Sequence, residues 1–236
     1  MIGGHYSHNG GMNRVEILEL FDAQMRRDAA DADGLHVGDG WSAVLWTPPD
    51  VERAVERLRE LPGHAEWKLY GHDPADLPER LRALGLEPED EETVMVAEAA
   101  AVPPPPGDVD LRIDAAAFLE IVSTEFGRAY PLPETALAVV ALVDGQPVSG
   151  GRVDLDPNTD FAGFYGGVTL PAYRGRGLYR ATVGKRAELA RERGYRYVFV
   201  DALPTSRPIL ERVGFMRLTT TTPWVFSRDP RSSTTD

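Results

Sequence analysis

Apolar residues along the chain fall into two patterns. A three-to-four spacing predicts helices, and short continuous or alternating runs predict strands. Val15, Ile17, Leu18, Phe21 and Met25 form a helical stripe over residues 14–28. Residues 41–46 are an apolar run closed by Pro48 and Pro49, which reads as a short buried strand. Asp50 is placed to cap a helix whose Val51, Val55, Leu58 and Leu61 share one face. Residues 66–70 read as a strand, Asp76 begins a helix ending at Leu84-Gly85, and residues 93–96 read as another strand. Helix and strand alternate three times, an α/β order.

The pattern resumes beyond residue 107. Residues 111–113 form a short strand and Asp114 starts a helix reaching residue 126. Residues 138–143 and 148–154 are strands joined by an Asp144-Gly145 hairpin turn. Residues 161–170 make a longer strand carrying Gly163, Gly166 and Gly167. A helix over 179–193 closes at Gly194, a strand covers 197–201, and a helix from Ser206 stops at Gly214. Shifting the chain by 129 residues places Gly85 on Gly214, Leu81 on Leu210, Tyr70 on Phe199 and Val96 on Val225. A strand, a helix ending in apolar-Gly-apolar and a strand thus recur in the same order.

Between the two parts lies Pro103-Pro104-Pro105-Pro106, which favours a stiff extended spacer. Charge divides there as well. The 236-residue chain has 25 basic and 37 acidic residues, a net −12. Residues 1–107 hold 21 acidic and 9 basic groups, and the remainder 16 of each, so all of the imbalance belongs to the first part. The predicted organisation is a first domain over 1–101, a linker over 102–107, a second domain over 108–228 and a tail over 229–236.

At 42% hydrophobic and 26% charged, the chain can bury a normal core. Its acidity argues against nucleic acid and anionic membrane as partners. The absence of cysteine excludes disulfides and thiolate chemistry. No apolar run approaches the roughly 18 residues of a membrane span, and the first residues do not read as a signal peptide. A cytoplasmic protein is expected. His5 and His8 lack a third ligand nearby, so no metal site is expected. His72-Asp73 and the acidic run Glu89-Asp90-Glu91-Glu92 read as a surface turn and a solvated loop.

One segment departs from the local charge balance. Residues 171–196 carry eight basic and two acidic groups, a local +6. Within them, Arg174-Gly175-Arg176-Gly177-Leu178-Tyr179-Arg180 joins a strand to a helix. Glycines let the backbone approach a ligand, and the helix start offers free N–H groups, so a phosphate-bearing ligand is expected. No Lys-Ser/Thr follows the glycines, which excludes a nucleotide P-loop. Arg180 stands where a dinucleotide fingerprint needs its third glycine.

This loop resembles the Arg/Gln-x-x-Gly-x-Gly/Ala motif of the GNAT superfamily of N-acetyltransferases. Ile209-Leu210-Glu211-Arg212-Val213-Gly214-Phe215 is similar to a second motif of that family, and the likeness spans residues 108–228. The resemblance implies an α/β fold with a mixed, mostly antiparallel sheet flanked by helices. The first part looks like an incomplete second copy that lacks the loop and does not bind cofactor.

The likeness further implies acetyl-CoA as co-substrate. Arg174, Gly175, Arg176, Gly177, Leu178, Tyr179 and Arg180 would line its pyrophosphate, and Val168, Thr169 and Leu170 its pantetheine arm. Ser206 either touches that arm or caps its helix. The family's usual proton-donating tyrosine is replaced by Leu210, its frequent asparagine by Leu203, and the small residue ending the loop motif by Tyr179. Asp201 and Tyr165 are the remaining catalytic candidates, with a turn cap and a packed sheet aromatic as their structural alternatives. The expected reaction is acetyl transfer to a primary amine of a small molecule or protein, with a cationic acceptor favoured by the acidic first part. A non-enzymatic acyl-CoA-binding module is the alternative reading, and a homodimer is left open.

Overall fold

A computed structural model describes residues 13–38, 41–127 and 131–226. His5, His8 and the 229–236 tail lie outside the described residues. The first part contains α1 (Arg14–Phe21), a π-helical turn (Asp22–Arg27), β1 (Leu35–Val37), β2 (Trp41–Val44), α2 (Val51–Glu60), β3 (His64–Tyr70), α3 (Leu77–Ala83), β4 (Leu86–Pro88) and β5 (Glu92–Glu98). The second contains β6 (Asp110–Ile113), α4 (Ala115–Phe126), β7 (Ala136–Val143), β8 (Gln146–Asp154), β9 (Phe161–Thr169), α5 (Leu178–Glu192), β10 (Tyr197–Ala202), α6 (Arg207–Arg212) and β11 (Met216–Phe226). Local chemistry sets several boundaries. Asp50 accepts from the Arg53 N–H and Asp114 from the Ala117 N–H, two N-caps at the expected positions. Asn13 and Glu16 form a capping box on α1.

The strands make one sheet in the order β1-β2-β3-β11-β5-β10-β9-β8-β7-β6, with β4 added beside β11. Only β2–β3 and β9–β10 pair in parallel. The middle of this order is an exchange. β5 belongs to the first part by sequence, yet it lies between β10 and β11. β11 belongs to the second part and pairs with β3 and β4 of the first. From the β5–β11 contact outward, each side then runs through a parallel pair: β11, β3 and β2 on one, β5, β10 and β9 on the other.

Helices α2, α3, α5 and α6 pack on one face. There Val55, Leu58 and Leu81 meet Trp67 and Trp224, while Val183, Ala187 and Leu210 meet Met95, Phe164 and Val198. Helices α1 and α4 take the other face. Ile17 and Phe21 of α1 cover Tyr70, Phe161 and Phe199, and Phe118 and Ile121 of α4 cover Val140 and Val168.

The proline run is not a free spacer. A Cβ on Gly184 of α5 would lie 2.8 Å from the Pro103 carbonyl oxygen and 2.9 Å from the Pro105 nitrogen, so the run is seated against α5. Val102 beside it is buried in the core beneath that helix. His72 and Asp73 are likewise more than a surface turn. They enclose Arg26, whose side chain is fully buried. Its guanidinium donates to Asp22 at 2.8 Å, Asp73 at 2.5 Å and the Leu45 carbonyl at 2.9 Å, and lies 4.0 Å from the centre of the Tyr70 ring. His72 approaches Asp22 at 2.9 Å and the Thr219 hydroxyl at 3.0 Å. No described helix is long and apolar enough to cross a membrane.

Candidate active site

The parallel pairing of β9 and β10 runs from Phe161–Tyr197 to Gly163–Phe199 and then stops. Beyond that point β9 pairs only with β8, through Tyr165, Val168 and Thr169, and β10 only with β5, through Asp201 and Ala202. The sheet therefore opens between residues 164–169 and 200–202. The β8–β9 register shifts between Gly150 and Arg152, and Gly166 opposite that shift has φ +62°. A Cβ on Gly166 would meet the Phe118 ring at 2.8 Å, and one on Gly167 the Tyr179 ring at 2.8 Å. Glycine is thus required twice in succession, to form the bulge and to admit a ring from each side.

The glycine loop follows β9 after one 3-10 turn, Pro171–Tyr173. Gly175 and Gly177 have φ of +77° and +78°, and Gly177 is the N-cap of α5 with no side chain capping the first turn. A Cβ at Gly175 would meet nothing within 4 Å. The uncapped helix start leaves its N–H groups available to an anion. The arginines are not equivalent. Arg174 is tied to Glu125 at 2.6 Å and to the Thr169 carbonyl at 3.0 Å, whereas Arg176 lies over the Tyr173 ring. Arg180 turns toward Gly177, with its guanidinium at the 4.0 Å limit of the space a Cβ there would touch.

Other expected contacts divide by side chain. Val168 and Leu178 are buried in the core, so only their backbones are available to a ligand. Thr169 exchanges a 2.7 Å hydrogen bond with Ser149, and Leu170 is half-buried. The Ser206 hydroxyl donates to the Leu203 carbonyl at 3.2 Å and caps no helix N–H. Leu210 is fully buried, and Leu203 is exposed.

On the face carrying α1 and α4, the two catalytic candidates come together with groups from the first part. Residues two apart on a strand share a face, so Asp201 stands with Phe199, Lys68 and Glu66 with Tyr70, and Glu92 with Val94. Lys68 of β3 forms an ion pair with Asp201 Oδ2 across 133 residues of chain. Burial alone would depress the Lys68 ammonium, but Asp201, with Tyr70, Glu66 and Tyr165 adding to it, holds Lys68 well above the ordinary lysine range. Asp201 Oδ1 is buried and has no hydrogen-bond partner among the described residues. The Tyr165 ring packs edge-on against Phe199 with Arg152 over its face, and burial, aided by Asp201, raises its phenol. Glu92, from the run expected to be a solvated loop, is half-buried at the start of β5. Burial, then the negative charge of Asp201, pushes its carboxyl up to about 7.

Lys68, Tyr70 and Glu92 went unnoticed in the sequence as site residues. Their only signal was the 129-residue repeat, which implied a partner half without giving the strand exchange. Among the described residues no group of three or more His, Cys, Asp or Glu is arranged to hold a metal. A cleft lined by Leu137, Leu155, Arg193 and Tyr195 lies at the opposite end of β9 and β10 and contains none of these groups.

A mixed sheet that opens beside a glycine-rich strand-to-helix loop defines the scaffold of an acyltransferase. Residues 111–215 match the family model described as the Acetyltransferase (GNAT) family, and this stretch is a GNAT domain. A comparison with curated protein sequences finds no match. Among solved structures, a GCN5-related N-acetyltransferase from Kribbella flavida aligns with TM-score 0.64 at 17% identity, over 93% of this chain and 98% of its own. A GCN5-related N-acetyltransferase from Sphaerobacter thermophilus aligns with TM-score 0.51 at 18% identity, over 73% and 64%. A tandem GNAT protein from the clavulanic acid biosynthesis pathway aligns with TM-score 0.51 at 16% identity, over 83% and 77%. These likenesses show the fold, α/β with a mostly antiparallel sheet flanked by helices, and one of them is with a protein that carries two GNAT units.

Proposed function

We propose that the protein transfers the acetyl group of acetyl-CoA to a primary amine by direct attack. The observation that carries this reading is the ending of β9–β10 pairing at Gly163–Phe199, on the strand that leads into an uncapped helix start with two left-handed glycines. These features fit the cofactor. The first turn of α5, with Arg176 and Arg180, would hold the pyrophosphate, and the free edge of β9 at Val168, Thr169 and Leu170 the pantetheine arm. Bound acetyl-CoA supplies an acyl thioester: the amine nitrogen bonds to its carbonyl carbon, the C–S bond breaks, and the thiolate leaves to take up a proton.

The chain's own residues do the rest. Backbone N–H groups at the Gly166-Gly167 bulge lie where the sheet opens and can donate to a carbonyl oxygen that gains charge. Asp201 has one oxygen occupied by Lys68 and the other free to accept an N–H of the incoming amine. Tyr165 carries a phenolic proton for a departing thiolate, although burial raises its pKa and so weakens it as an acid. These two residues stand in for the tyrosine that Leu210 replaces. The acidic first part draws a cationic acceptor, and the exchanged strand β5 places it beside the opening.

Calorimetric titration with acetyl-CoA and thiol release over a panel of amines test this reading. Binding lost in a Gly177→Glu variant, which adds a side chain and a negative charge at the helix start, supports the loop assignment. Binding without thiol release for any amine makes the protein a non-enzymatic acyl-CoA-binding module. No binding at all removes the cofactor from the account.

A further inference from the structure

The amine-facing side of the opening holds three carboxyl groups, Asp201, Glu66 and Glu92, and one fixed cation, Lys68. Lys68 neutralises Asp201, and His64 Nε2 lies 3.0 Å from Glu66 Oε2. Glu92 has no ion pair and no side-chain hydrogen bond among the described residues, although it is half-buried. Beside it stands Thr221, which pairs with Glu92 on one side and with Tyr70 on the other. Directly opposed residues in antiparallel strands point to the same face, so the Thr221 hydroxyl lies between these two side chains. Thr221 is fully buried, yet its Oγ1 has no hydrogen-bond partner among the described residues. A half-buried carboxyl and a buried hydroxyl thus stand side by side, with no donor to either among the described residues. Leaving such groups unmet is costly. A primary ammonium, with three donors and one positive charge, answers both.

We infer that the acceptor carries two amines: one is acetylated at the β9–β10 opening, and the second, retained as an ammonium, lodges against Glu92 and Thr221 with Glu66 behind them. This rests on the acetyltransferase reading above and narrows its substrate to a small dication. The groups facing Glu92 are Asp201 on β10, Lys68 and Glu66 on β3, and Glu89 in the turn before β5. Lys68 is the one cation among them, and it is committed to Asp201. The second subsite is built from β3, β5 and β11, the strands on either side of the exchange.

The test compares amines that differ only by the second charge. With the full-length protein and saturating acetyl-CoA, kcat/KM is measured for putrescine against butylamine and for cadaverine against pentylamine. A diamine preference of about tenfold is expected, the ratio that one charge-assisted hydrogen bond supports. Glu92→Gln and Glu66→Gln should each pull the ratio toward one, with melting temperature reporting that the variants fold. A second measurement needs no variant. At pH 7 diamine binding should expel a proton from Glu92, read as a binding enthalpy that varies with the ionisation enthalpy of the buffer, and the monoamine should not. Equal kcat/KM within each pair, or a preference untouched by both substitutions, overturns the second-cation site and leaves amine acetylation standing. Failure to acetylate any amine overturns both.

Discussion

Glu92 illustrates how position reverses the usual behaviour of a carboxylate. Its proton is held to about 7 in the fold against an ordinary 4.5, chiefly because burial disfavours the charged form. Between those two values the unfolded chain binds fewer protons at this site than the folded one, so stability falls as pH rises through that window. Glu92→Gln should therefore be more stable than the parent at pH 8, by on the order of 1–3 kcal/mol, and show no gain at pH 4. Urea unfolding at the two pH values checks this. Lys68 and Asp201 behave oppositely, since each is needed by the other. Asp201→Asn leaves a buried ammonium unpaired and should cost on the order of 3–5 kcal/mol. The double variant Asp201→Asn, Lys68→Met should recover much of that stability and remain defective in acetyl transfer, as thermal melts and thiol release would show.

At the scale of elements, the sequence disclosed what depends on neighbours in the chain. The loop from Arg174 to Arg180 was legible because left-handed glycines at fixed spacing before a helix leave a local mark, and the structure places Gly175 and Gly177 in that conformation. The caps Asp50 and Asp114 were legible for the same reason. Short edge pieces such as β1 and β4, three residues each, were not, because so few residues carry no periodicity. The Lys68–Asp201 pair was hidden by its long sequence separation and by a strand exchange that no local pattern encodes.

Arg26 belongs to this scale too. It was unremarkable on its helix stripe, yet it ties the π-helical turn, the end of β2 and the turn after β3 to one guanidinium. Arg26→Met should leave Asp73 a buried charge without its cation and Asp22 with His72 alone, and lower stability by about 3 kcal/mol or more. Amide exchange should speed first around residues 42–46 and 68–73, and an unchanged exchange pattern there would refute the role.

Over the whole molecule, the net charge of −12 and the acidic first part acquire a structural meaning. The half without a glycine loop brings Lys68, Glu66 and Glu92 to the strands beside Asp201, while the other half carries the arginine-rich glycine loop. The sequence led to an expectation of two parts divided at the prolines. It could not indicate that the parts share one sheet, because periodicity identifies strands and not their partners. Removal of residues 1–101 strips β5 from between β10 and β11. The remaining fragment should be insoluble or lack cooperative unfolding, whereas the intact chain should unfold in a single transition by calorimetry.

The exchange of β5 and β11 has a further consequence for inheritance. Each half completes its sheet only with a strand that the other encodes, so neither can be discarded or traded for an unrelated module without dismantling its neighbour. The two halves are thus bound to a common fate, and the half with no glycine loop is needed for the strand it lends.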